Sequence, residues 1–194
     1  MKKILFILLA MSLGSSVTGC STAWPESASI NPIINDQADN ILPNNTRVTV
    51  TGNDTRTGTQ IIKIKLDGKP VVLIPNNVAP STLLAERLAR GFAKQGAIIT
   101  SNADNQLTLT ITQLQAEVTK PGFVYKSRVN VKVSLKAENN GAHITKEYRQ
   151  SAMQESATLP NTNEIEDMLN IQLSKLLNQI LKDPQIRGYI KSGI

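Results

Sequence analysis

The chain reads as an α+β domain: a two-layer sandwich in which a mainly antiparallel sheet carries two main helices packed on one face. Three observations predict it. Several stretches alternate apolar and polar residues with a period of two, as half-buried strands do. Two others repeat apolar residues every three to four positions, as amphipathic helices do. The two kinds come in blocks, strands then helix and strands then helix, with no internal repeat.

The first strand is expected in TRVTVTG (46–52), where Val48 and Val50 alternate with polar residues. TQIIKIKL (59–66) follows, with Ile62, Ile64 and Leu66 on one face and Lys63 and Lys65 on the other. Asp67-Gly68 supplies a type I′ turn into KPVVLI, where Pro70, lacking an N–H, suits a strand start or an edge. A helix then begins at Pro80, repeats Leu84, Leu88 and Phe92, and stops at Gly96. In NQLTLTITQLQAEV (105–118), Leu107, Leu109 and Ile111 share one parity, whereas Leu114, Ala116 and Val118 share the other. A strand changes parity only through an irregularity, so a bulge is predicted near Thr112–Gln113.

FVYKSRVNVKVSLKAE places Val129, Val131, Val133 and Leu135 inward. Asn140-Gly141 turns it into AHITKEYRQSAMQESA, a register that sets Val133 opposite Tyr148 and Lys132 opposite Arg149. The second helix is expected over 164–182, with Asn161 and Glu164 as a capping box and Ile165, Leu169, Leu173, Leu176 and Ile180 as its buried stripe. Asp183-Pro184 restarts a short third helix, Asp as N-cap and Pro at N1.

Ahead of this domain, Lys2 and Lys3 precede the apolar run ILFILLAMSL. The run has signal-peptide length and is too short for a bilayer, which takes roughly 20 apolar residues. Gly14, Ser15 and Ser16 lead to V-T-G-C, ending at Cys20, the single cysteine. This segment resembles the lipobox of bacterial lipoproteins. The resemblance implies a thioether-linked diacylglycerol on Cys20, cleavage between Gly19 and Cys20, and acylation of the new amine. A buried core cysteine or a catalytic thiol would sit among folded neighbours, whereas Cys20 lies between an h-region and a polar stretch. Lipidated, it leaves no thiol for a disulfide, a nucleophile or a metal. Ser21 is not aspartate, which by the sorting rule of such lipoproteins implies the outer membrane, on its periplasmic face.

The expected organisation is a signal peptide over 1–19, a lipidated flexible tether over 20–45, and a single periplasmic domain over 46–194. The tether is rich in Ser, Asn, Asp and Pro. Fully flexible, it would span on the order of 25–30 Å; docking of Ile30, Ile33, Ile34, Ile41 or Leu42 on the domain would shorten that reach. Trp24 suits either the headgroup level or a plain linker.

Removing residues 1–19 leaves 175 of the 194 residues and, without Lys2 and Lys3, lowers the formal charge from +6 to +4. The basic balance could suggest nucleic acid, but the periplasmic address removes that partner, and 4% aromatics cannot build a base-stacking platform.

The chain also resembles the YajG family of bacterial lipoproteins. VTVTGNDTRTG (Val48 to Gly58), TQLQAEV (Thr112 to Val118), NNG followed by ITKEYR (Ile144 to Arg149), and the ending DPQIRGYIK carry the resemblance. It implies an envelope lipoprotein and brings no catalytic residue and no cofactor.

The residues themselves point the same way. His143 is the single histidine, and no His or Cys cluster suggests a metal. Glu164, Glu166 and Asp167 fall in a first helical turn, where the helix dipole favours carboxylates. Asp54 and Arg56 either fix a turn or present a binding edge. Lys63, Lys65, Lys126, Arg128, Lys132, Lys136, Lys146 and Arg149 either form a solvated face or dock an acidic partner. The expected binding surface is Asp54, Arg56, Lys132 and Arg149. The function expected is a non-enzymatic adaptor, held to the lipid bilayer through acylated Cys20 and binding an envelope protein. A lipid or glycolipid carrier subunit is the alternative, and a cell-wall hydrolase a third.

Overall fold

The computed structural model describes residues 24–34 and 41–191. The signal peptide, the cleavage position and Cys20 lie outside the described residues.

Among the described residues, seven strands form one mixed sheet, and three helices accompany it. The strands are β1 (Arg47–Asp54), β2 (Gln60–Lys65), β3 (Val72–Pro75), β4 (Ile98–Ile99), β5 (Asn105–Thr119), β6 (Tyr125–Asn139) and β7 (Ala142–Ser156). The helices are α1 (Pro80–Lys94), α2 (Thr162–Lys182) and α3 (Pro184–Lys191).

The organising element is β5. Along one edge it takes β1 in parallel (Val48↔Asn105 to Asp54↔Ile111) and then β2 in parallel (Ile62↔Ala116 to Lys65↔Thr119). Along the other edge it pairs antiparallel with β6. The expectation of a mainly antiparallel sheet is therefore corrected to a mixed one. The physical reason is that β1 and β2 lie end to end on one strand instead of folding back on each other. The return through β3 and α1 then lays β5 down in their direction, and side-chain alternation carries no information on strand direction.

Other expectations hold in detail. The β5–β6 register shifts between Ile111 and Gln113, so Leu109, Ile111, Leu114 and Ala116 all remain buried on one face despite the parity change. The β6–β7 hairpin turns at Asn140 (φ 48°) and Gly141 (φ 80°) and pairs Val133 with Tyr148 and Lys132 with Arg149. Asn161 accepts from the Glu164 amide at 3.0 Å, and Glu164 accepts from the Asn161 amide at 2.9 Å, which completes the capping box.

Between the sheet and the helices, Phe92, Leu107, Leu109, Val133, Leu135, Leu169, Leu173, Leu176 and Leu177 are wholly buried. Asp183 joins this core to α3. Its carboxylate accepts from the Gln185 amide and the Tyr148 hydroxyl and pairs with Lys146. Burial pushes the Tyr148 hydroxyl far above its ordinary value, and the Asp183 hydrogen bond adds to the rise.

Candidate functional site: a docked leader segment, an arginine clamp and an ion-paired sheet face

Part of the stretch expected as tether is docked on the domain. Ala28 forms a parallel bridge with Asn76: its amide donates to the Pro75 carbonyl and its carbonyl accepts from the Asn77 amide, both at 2.8 Å. Ala28, Ile30 and Leu42 are buried, and Trp24 packs partly into the core.

Beyond Ala28 the extended chain runs along α2. The Ser29 amide donates to Glu166 Oε1 at 2.8 Å, the Asn31 amide to Asn170 Oδ1 at 2.6 Å, and the Ile33 amide to Ser174 Oγ at 2.8 Å. Arg87 of α1 holds the Asn31 side chain from the other flank. The spacing explains the match. Alternate residues of an extended chain advance about 6.6–6.8 Å, and positions four apart on a helix advance about 6.0 Å. A polar stripe at Glu166, Asn170 and Ser174 therefore stays in step for three bonds. The signal was in the sequence: a polar row with spacing four beside the apolar one on the second helix.

This docking makes a groove. Asn31 and Ile33 form one wall, and Asp167, Asn170, Ile171, Ser174, Lys175 and Lys182 of α2 face them around about 880 Å³ of open space. Ile33 is 71% exposed and Ile171 51%. Asn170→Ala should remove the partner of the Asn31 amide. Exchange at the Asn31 and Ile33 amides is expected to rise about fivefold, the equivalent of about 1 kcal/mol, with β5 and β6 unchanged. Unchanged exchange at both amides would show that the stripe does not hold the segment.

Asp54 and Arg56 are brought together, but not as a free binding edge. The loop between β1 and β2 fills the gap that the two end-to-end strands leave along β5. Arg56 Nε and the second guanidinium nitrogen (Nη2) donate to Asp54 at 2.9 and 2.7 Å, and Nη1 donates to the carbonyls of Gln60 and Leu114 at 3.0 Å each. The Arg56 side chain is only 8% exposed. Burial alone would raise the Asp54 pKa, but the Arg56 hydrogen bonds and charge outweigh it and leave it below the ordinary 3.8. The pair is a clamp over the β5 bulge. Above it lies a polar hollow of about 480 Å³, lined by Thr55, Gly58, Gln60, Thr112 and Gln113 among others.

Lys132 and Arg149 sit side by side on the open sheet face, as paired. Their charge is shared with Glu147, which accepts from Lys132 at 2.9 Å and from Arg149 at 2.8 Å. Those two partners, Arg149 first, hold the Glu147 carboxyl below the usual carboxylate range. Lys63 pairs with Glu117, Lys126 with Glu155, and Lys136 with Glu138. The face is thus a lattice of ion pairs rather than a uniformly basic patch.

His143 is exposed and faces Glu138 across the hairpin. Among the described residues, no group of three or more His, Cys, Asp and Glu could hold a metal. Glu164 caps α2, Glu166 holds the leader segment, and Asp167 lines the groove. The acidic cluster read from the sequence is thus divided among three separate jobs.

Residues 32–191 match the Lipoprotein_16 family, described as "Uncharacterized lipoprotein", and the chain belongs to this family of lipoproteins, the one to which the YajG resemblance pointed. The chain is 29% identical over 194 residues to the lipoprotein YajG of Escherichia coli K12, covering 99% of this chain and 98% of that one. The YajG sequence of Escherichia coli O6:H1 matches to the same extent. In fold it is similar to the crystal structure of protein XCC0632 from Xanthomonas campestris. That likeness has a TM-score of 0.59 at 9% identity and covers 89% of this chain and all of that one. No described helix is long and apolar enough to cross a membrane.

Proposed function

We propose that this lipoprotein is a non-enzymatic adaptor of the bacterial envelope. It is cleaved between Gly19 and Cys20, acylated on Cys20, and held on the periplasmic face of the outer membrane, where it binds an envelope protein. The observation that carries this reading is the groove between the docked leader and α2. Exposed Ile33 and Ile171 provide apolar purchase, and Asp167, Lys175 and Lys182 provide a polar surround, the anatomy of a protein-recognition surface. A lipid carrier would need a chamber between helices and sheet, and wholly buried side chains such as Phe92, Leu109 and Leu173 fill that space. The lipid anchor supports the adaptor further, because confinement to a membrane raises the effective concentration of a domain near partners in the same envelope.

The domain read as 46–194 is better drawn to include the leader. With Trp24 packed on the core and Ala28 to Ile33 docked, the folded unit reaches back to within a few residues of Cys20.

In-cell photocrosslinking tests the proposal, with a photoreactive residue at Ile171 and, separately, at Lys132 and Arg149. A protein adduct is expected at Ile171, and it should disappear when Cys20→Ala abolishes the anchor. Lipid adducts alone, or no adduct at any of the three positions, would sink the adaptor reading. A Cys20→Ala chain that is cleaved normally and still fractionates with membranes would sink the anchor.

A further inference from the structure

The leader enters the domain at one particular place, and that place has the surface chemistry of a membrane contact. Ala28 is bridged to Asn76, immediately after β3, so the chain arriving from Cys20 meets the domain at the outer edge of β3. Four residue steps separate Cys20 from Trp24. At about 3.5 Å per residue, Cys20 lies within about 14 Å of Trp24 whatever course the chain takes. A domain held that closely must rest some part of its surface on the headgroups.

The surface beside the entry is apolar and basic. Val71 and Leu73 are each 50% exposed and Val78 51%. Val71 stands just before β3, and Lys63 on β2 stands directly across from Leu73, so that Leu73 and Lys63 share one face of the sheet. Lys65 lies next to Ile64, the partner of Val72, and Lys69 follows the turn at Gly68 (φ 69°). Lys63 is paired with Glu117, whereas Lys65 and Lys69 are exposed and make no ion pair among the described residues. Asp67 in the turn is the one carboxylate within residues 63–78, and the three lysines of that stretch leave it net positive.

We propose that the outer edge of β3 and the β2–β3 turn rest on the anionic headgroups of the bilayer that holds Cys20. Val71, Leu73 and Val78 enter the interfacial layer, and Lys65 and Lys69 meet lipid phosphates. This contact fixes the orientation of the domain and leaves the α2 groove, on the helix side of the sheet, to other partners. It rests on the acylation of Cys20, and the experiment separates the two.

The full chain, processed in cells and carrying Leu73→Cys or Val71→Cys, is labelled with an environment-sensitive fluorophore. It is then reconstituted in phosphatidylethanolamine–phosphatidylglycerol vesicles containing a headgroup-level nitroxide quencher. Ile171→Cys and Arg149→Cys serve as controls, and mass spectrometry of the N-terminal peptide reports acylation of Cys20. Quenching at 71 and 73 is expected to exceed that at 171 and 149 by on the order of twofold. Lys65→Glu with Lys69→Glu should bring it down to the control level. Acylated Cys20 with no excess quenching at 71 and 73 overturns the proposal alone. Unmodified Cys20 overturns the anchor and the proposal together.

Discussion

Arg56→Ala is expected to destabilise the domain by about 3 kcal/mol, read as a lower urea midpoint with an unchanged m-value. The size follows from what one side chain does. Arg56 is almost fully covered and spends its guanidinium on the Asp54 carboxylate and on the carbonyls of Gln60 and Leu114. Removing it strands a half-covered carboxylate and two carbonyls at the break between β1 and β2. Arg56→Lys keeps the charge but not the planar fork, and should recover less than half of the loss.

The same clamp has a pH signature. Asp54 sits below its ordinary value in the folded protein, so its contribution is complete above about pH 4 and fades as pH falls through the folded value. Wild type and Arg56→Ala should therefore converge in stability as the solution is acidified below about pH 4. Parallel curves down to pH 2 would show that the Asp54 pair carries none of the effect.

How much of this was readable beforehand depends on how local each cause is. The bulge was legible because Leu107, Leu109 and Ile111 disagree in parity with Leu114, Ala116 and Val118 within a dozen residues. The β6–β7 register was legible because Asn140-Gly141 sets it through turn geometry alone. The capping box and the Asp183-Pro184 restart are likewise written in neighbouring residues. The parallel seating of β1 and β2 on β5 was not, since strand direction depends on where α1 returns the chain. For Arg56 the half was legible: its pairing with Asp54 is local, but its bond to the Leu114 carbonyl spans 58 residues. The leader's dock was the largest omission. Its polar row on α2 was visible, yet the amides it holds come from a segment more than 130 residues away whose composition reads as linker.

Gly52→Ala and Gly91→Ala form the second pair of contrasting expectations. Both glycines sit where α1 comes close to another element, and a count of apolar neighbours would treat them alike. At Gly52, on β1, an added Cβ would lie 2.1 Å from the Ser81 carbonyl oxygen and 2.7 Å from its carbon. Those are backbone atoms in the first turn of α1, so relief requires moving the helix. At Gly91 the added Cβ would meet the Leu181 methyls at 2.4 and 2.7 Å, the far end of a side chain that can change rotamer. Alanine there also gains about 1 kcal/mol of helix propensity over glycine. Gly52→Ala should therefore cost about 3 kcal/mol, at the upper end of ordinary overpacking, while Gly91→Ala should stay within about 1 kcal/mol of wild type. Urea unfolding followed by circular dichroism measures both. Equal losses would mean that α1 rides over β1 as freely as Leu181 turns, and the close seating of its first turn on Gly52 would have to be abandoned.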